Sequence, residues 1–118
     1  MGTGVGEWWS RLAASAPGNL AGLWFGMTEL VPGGWNIYVA GTATFEPSDE
    51  TAEWAVGPYV WWPDGRYFPV PEVEQLGVVE AVRHAADLVR SFTPWADVPV
   101  EGVAVGYDDG EFDVVYTR

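Results

Sequence analysis

Two runs of carboxylates carry the densest chemistry in this chain. Glu46, Asp49, Glu50 and Glu53 form the first, and Asp108, Asp109, Glu111 and Asp113 crowd the second. Clustered carboxylates bind hard cations, exchange protons with a substrate, or present negative potential to a basic partner. The second run lacks the Asp-x-Asp-x-Asp-Gly pattern and closing Glu of a Ca²⁺ loop, which argues against a cation site there. His84 is the lone histidine, with Glu80 and Asp87 at helical spacing. That triplet reads as a metal or acid–base cluster or as a solvated helix face with ordinary ion pairs, and the second reading is preferred. Trp54, Tyr59, Trp61 and Trp62 flank Gly57-Pro58. Aromatics so grouped line a ligand pocket, fill a core, or anchor a protein interface.

Other chemistries are excluded by what is missing. The chain has no cysteine, so thiol nucleophiles, thiolate metal sites and disulfides are ruled out. It has no lysine, so a Gly-x4-Gly-Lys phosphate loop is impossible. A Ser–His–Asp triad would depend on His84 alone. An acid pair of the glycosidase kind would need a groove between two carboxylates. The expectation is therefore a non-enzyme with no cofactor and no metal.

Seventeen acidic residues against five basic ones give a formal net charge of −12. Such a chain is unsuited to nucleic-acid phosphates or anionic membranes and suited to a basic protein, whose approach complementary fields accelerate. No 18-residue apolar run marks a membrane helix, and the first ten residues lack a basic region followed by an apolar stretch. With no cysteine, these features point to the cytoplasm. The length, 118 residues, fits one domain spanning 1–118, with residues 1–6 a glycine-rich, ragged start.

The elements that must position these groups follow from periodicity. Residues 7–16 suit a short helix with Trp8, Trp9 and Leu12 on one side, ended by Pro17-Gly18-Asn19. Residues 20–31 and 35–45 read as a hairpin across Pro32-Gly33-Gly34, with Gly41 marking a bulge or a close approach. Residues 46–53 form an acidic loop, and 54–62 an irregular third strand. Residues 72–92 alternate as an amphipathic helix ended by Pro94; Val78, Val79, Ala81, Val82, Ala85, Ala86, Leu88, Val89 and Phe92 share its apolar half. Residues 100–107 and 111–117 make a second hairpin across Asp108-Asp109-Gly110, with Phe112, Val114 and Tyr116 on one face. The predicted fold is α+β: an antiparallel sheet of about five strands, two hairpins plus the irregular strand, with one long helix packed on it and a short helix in front.

Several of these segments together resemble a family of small bacterial proteins found among the predicted immunity proteins of polymorphic toxin and contact-dependent inhibition systems. They are Leu23-Trp24-Phe25-Gly26, Trp35-Asn36-Ile37-Tyr38-Val39-Ala40-Gly41, Phe45 with the acidic loop to Glu53-Trp54-Ala55, Arg66-Tyr67-Phe68, and Val103-Ala104-Val105-Gly106-Tyr107-Asp108-Asp109-Gly110. The resemblance implies a non-catalytic protein that binds a toxin domain and blocks it. An acidic surface suits a basic target such as a nuclease, whose substrate phosphates the carboxylates would replace. The contact residues expected on this reading are Glu46, Asp49, Glu50, Glu53, Asp108, Asp109 and Glu111, with Trp61 and Trp62 as anchors. Two alternatives are an interaction or oligomerisation module unconnected with toxins, and a small-molecule binder with an aromatic-lined pocket.

Overall fold

Side chains along a strand alternate between the two faces of a sheet, and here both faces are covered. The computed structural model describes residues 4–29, 34–50, 52–56, 59–91, 100–107 and 111–117. Strands β1 (Gly22–Thr28), β2 (Asn36–Thr42), β3 (Tyr67–Pro69), β4 (Gly102–Tyr107) and β5 (Phe112–Thr117) lie in the order β3-β2-β1-β4-β5. Every residue of β1 and β2 is buried, which is what a two-sided core requires.

One face carries Leu23, Phe25 and Met27 of β1, Ile37 and Val39 of β2, and Val103 and Val105 of β4. Helix α1 (Val5–Ala13) buries Trp8, Trp9 and Leu12 against it, as the sequence predicts. The Trp8 and Trp9 rings meet Phe25 at 6.3 and 5.5 Å. The Trp8 indole also donates to the Gly65 carbonyl at 2.9 Å, tying α1 to the turn before β3. Helix α2 (Val78–Ser91) covers β4 and β5 with Ala81, Val82, Ala85, Ala86 and Val89. Three alanines on that stripe allow the helix axis to approach the strands closely.

The α+β class, the long helix and the short helix stand as predicted, and four details differ. The sheet is mixed: β1 runs parallel to β4, while its other pairings are antiparallel. The segment carrying α2 is a crossover that returns the chain beside β1 in the same direction, as parallel neighbours require. The helix begins at Val78 rather than residue 72. Residues 71–75 form a separate 3-10 turn, Leu76 is extended at φ −103°, ψ 151°, and Gly77 supplies only the first helical carbonyl. Val78 and Val79 are consequently exposed rather than on the packed stripe.

The third strand is Tyr67–Pro69, not 54–62, where the chain forms a 3-10 turn at Glu53–Ala55 and a single bridge at Trp61. In β5 a bulge between the partners of Val103 and Ala104 shifts the parity. Tyr116 therefore joins the helix-facing core, while Phe112 and Val114 stay on the opposite face. The turn at Pro32-Gly33, Phe92, Pro94 and the Asp108-Asp109-Gly110 turn lie outside the described residues.

Candidate functional site

Among the described residues no α-helix lies over the second face of the sheet; the loop after β2, with its 3-10 turn, covers it instead. Its floor is glycine-rich, and the parallel register sets Gly22 beside Gly102 and Gly26 beside Gly106. Rings lie where side chains would otherwise rise: a Cβ on Gly26 would collide with the Tyr38 ring, and one on Gly102 with the Phe45 ring. Trp24 stands at the centre, its indole donating to the Tyr38 hydroxyl at 3.2 Å. Trp54 meets it edge-on at 6.2 Å and Phe112 at 6.4 Å. Phe45 closes on Trp54 at 4.7 Å.

This aromatic layer positions the first acidic run. The Thr42 hydroxyl donates to the Thr44 carbonyl at 2.7 Å and turns the chain off β2. Asp49 then caps the turn that follows, its carboxylate accepting the Glu53 N–H at 2.9 Å. Ala52 adopts the left-handed conformation, φ 50° and ψ 42°, and with Ala55 is buried beside Trp54. Asp49 is therefore an architectural residue of the loop, whereas Glu46, Glu50 and Glu53 are exposed. Among the described residues no arginine or histidine lies within ion-pair distance of those three glutamates.

The neighbouring tryptophans part company. Trp61 forms an antiparallel bridge with Gly41, the two backbones exchanging N–H to carbonyl bonds at 2.9 and 3.3 Å. Its side chain drops into the helix-facing core against Trp9 at 6.3 Å, and only 8% of it is exposed. That corrects the expectation of Trp61 as an interface anchor. Its ring is a core ring, admitted because Gly41 has no side chain: a Cβ there would lie 2.8 Å from that of Trp61. Gly41 is thus the close approach anticipated for it.

Trp62, one residue on, turns to the other face and is 44% exposed. Tyr59 lies parallel to it at 5.1 Å, Tyr38 meets it at 5.5 Å, and the Arg66 guanidinium sits 4.0 Å over its ring. The Tyr59 hydroxyl donates to the Ala55 carbonyl at 2.8 Å and binds this aromatic group to the acidic loop. Val56 and Val60 on the same loop are exposed too. A ridge of apolar and aromatic groups therefore runs beside the exposed glutamates.

Of the second run, Asp108 and Asp109 lie outside the described residues, and Glu111 is exposed. Glu111 precedes Phe112, and Glu53 precedes Trp54; both rings pack on Trp24. Glu53 and Glu111 thus each directly precede a ring of one aromatic cluster. Asp113 is drawn away by Arg90 at 3.2 Å, and Arg90 also meets Asp87 at 3.5 Å.

His84 pairs with Glu72 at 2.8 Å, not with Glu80 or Asp87. Burial works to raise the Glu72 pKa, but the hydrogen bond and charge of His84, with a backbone N–H, outweigh it and hold the carboxyl below its ordinary value. Tyr107 is pushed up by burial and by the charge of Glu29. Among the described residues no three His, Asp or Glu side chains are grouped to hold a metal ion, and no helix is long and apolar enough to cross a membrane.

Arg66, Tyr67, Val56 and Val60 were not among the expected contact residues. The signal for Arg66 was present in Trp62-Pro63-Asp64-Gly65-Arg66, since a tight turn returns the fifth residue over the first. Searches against protein-family models, curated proteins and solved structures found nothing that matches this chain.

Proposed function

We propose that this chain is a non-catalytic, cytoplasmic immunity-type protein that docks onto a basic bacterial toxin domain and neutralises it. The docking surface is the ridge formed by residues 43–50, 52–56 and 59–66 and the start of β5. One observation carries the reading: exposed Glu46, Glu50 and Glu53, in no ion pair among the described residues, share a segment with exposed Trp62, which stacks on half-buried Tyr59 and Arg66.

Those three aromatic and cationic residue types supply most of the binding energy in protein interfaces, and a rim of charge steers encounter. Among the described residues no arginine or histidine forms an ion pair with these glutamates, so their field is available to a partner. The ring packing beneath makes the platform rigid before binding, which lowers the entropy cost of association.

The test is the affinity of an isolated basic partner for the wild type and for the Glu46→Lys, Glu50→Lys, Glu53→Lys triple variant, measured at several salt concentrations. The triple variant should bind at least about tenfold more weakly, with a flatter salt dependence. Unchanged affinity and an unchanged salt slope would overturn the assignment of this surface.

A further inference from the structure

An open sheet ends in two edge strands, and each edge strand turns half of its backbone groups away from the sheet. Here the edges are β3 and β5. In β3 the Val39 N–H bonds to the Arg66 carbonyl, the Val70 N–H bonds to the Trp35 carbonyl, and Ile37 lies opposite Phe68. That alternation turns Arg66, Phe68 and Val70 toward β2 and leaves Tyr67 and Pro69 facing outward. Proline has no N–H to offer there, and the strand is three residues long, so this edge is blunted.

The β5 edge has no such stop at its start. The Tyr107 N–H bonds to the Glu111 carbonyl at 2.9 Å, and the register places Val105 opposite Asp113. Glu111 and Asp113 therefore turn their backbone groups to β4, and Phe112 and Val114 turn theirs outward. Among the described residues no hydrogen bond answers those outward groups. The run ends at the bulge that separates the partners of Ala104 and Val103. Every residue of β1 and β2 is buried, whereas none of β5 is, although Phe112, Val114, Val115 and Tyr116 are apolar or aromatic.

We infer that β5 accepts one further antiparallel strand over Phe112–Val114, and that this strand carries a basic residue between two apolar ones. The site is the start of β5 already placed in the docking surface, so assigning the strand to the bound basic protein rests on that reading. Its chemistry follows from the register. A strand bonded to Phe112 and Val114 sets its central residue opposite Asp113 and its flanking residues opposite Phe112 and Val114. The flanking side chains fall on the helix-free face, beside the Phe112 ring that packs on Trp24, where apolar groups bury surface. The central side chain falls on the α2 face, where Asp87 and Asp113 share the Arg90 guanidinium. Two carboxylates on one cation favour a second cation there. A second copy of this chain does not fit: the pairing that uses the outward groups of both copies sets Asp113 against Asp113, and like charges directly opposite destabilise a strand pair.

The experiment uses the isolated ¹⁵N-labelled protein and three blocked peptides: Thr-Val-Arg-Val-Thr, the same with Glu for Arg, and the Arg peptide methylated at both valine nitrogens. Backbone amide shifts and exchange with deuterium are followed during titration at constant ionic strength. The Arg peptide should move the Phe112 and Val114 amides saturably and slow their exchange, leaving Tyr67 on the other edge unmoved. It should bind at least about threefold more tightly than the Glu peptide, from the cross-strand charge pair. It should bind at least about fivefold more tightly than the methylated one, which has lost the two donors that face β5.

Equal binding of the methylated peptide would overturn strand addition and leave the basic-partner reading in place, since the glutamate triple variant tests that reading separately. Equal binding of the Glu peptide would overturn the basic occupant. Protection of Phe112 and Val114 in the protein alone, rising with its concentration, would overturn the choice of occupant in favour of a second copy. No movement of either amide with any peptide would overturn the edge site outright.

Discussion

Gly26→Ala tests whether the aromatic layer under the proposed docking surface is as tightly set as its geometry implies. The added methyl would rise into the Tyr38 ring, whose hydroxyl accepts the Trp24 indole at 3.2 Å. The ring must move and that buried bond must break. Overpacking costs about 1–3 kcal/mol and a lost hydrogen bond about 0.5–1.5, so the expected destabilisation is roughly 2–4 kcal/mol. An unfolding entropy of about 2.1 cal/mol/K per residue over a 118-residue chain converts each kcal/mol to about 4 °C, so Tm should fall by roughly 8–16 °C. The assay is urea and thermal unfolding of wild type, Gly26→Ala, Tyr38→Ala and the double variant. With Tyr38 truncated, the alanine meets no ring, and exchanging glycine for alanine in a strand becomes neutral or favourable. A Gly26→Ala cost that is the same in both backgrounds, within about 0.5 kcal/mol, would refute the reasoning, because the penalty would then not come from the ring.

Four further outcomes are expected. Asp49→Ala removes the carboxylate that accepts the Glu53 N–H, and should cost up to about 1 kcal/mol by urea unfolding, with Asp49→Asn recovering part of it. Trp62→Ala forfeits the Tyr59 stack and the Arg66 contact, so it should lower stability by only about 1 kcal/mol while weakening partner binding by about tenfold or more. Because the Glu72 carboxyl is held below its ordinary value of 4.5, its stabilising contribution is complete above that pH and is lost as pH falls through the lowered value. As an exposed pair it is worth at most about 1 kcal/mol, so wild type and Glu72→Gln should differ slightly at neutral pH and converge in acid. Tyr107 shows the opposite dependence: its raised pKa adds stability below the ordinary value of 10 that disappears as pH rises through the folded value, so Tyr107→Phe should withstand alkali better than wild type.

Much of the fold was legible because its signals are local. Trp8, Trp9 and Leu12 fall on one helical face, the apolar stripe of α2 repeats at helical spacing, and each hairpin joins adjacent strands. What was not legible depends on pairings between distant segments. The parallel contact of β1 with β4 leaves no mark on either strand alone. The repeated Gly-x3-Gly of 22–26 and 102–106 acquires meaning only when that register sets the glycines side by side beneath rings from elsewhere. The helix starts later than its sequence pattern suggests because the alternation at 72–77 resembles a helical face, whereas Pro71 and Gly77 divide the segment physically.

The same distinction governs the site. The acidic loop was visible as composition, but Asp49 could not be separated from Glu46, Glu50 and Glu53 without its hydrogen bond to Glu53. Which of two adjacent tryptophans faces solvent was undecidable from Trp61-Trp62 alone. One backbone bridge to Gly41 sets the parity, sending the first ring to the core and the second to the surface.

The central claim is that the helix-free face, not the α2 face, meets the partner. It is tested most directly by placing a photo-crosslinking amino acid at position 62 and, in a second protein, at position 83 on the exposed side of α2. Each is irradiated with the basic partner at low and high salt. A crosslinked heterodimer that fades as salt rises is expected from position 62, and little or none from position 83. Crosslinking from position 83 with none from position 62 would contradict it.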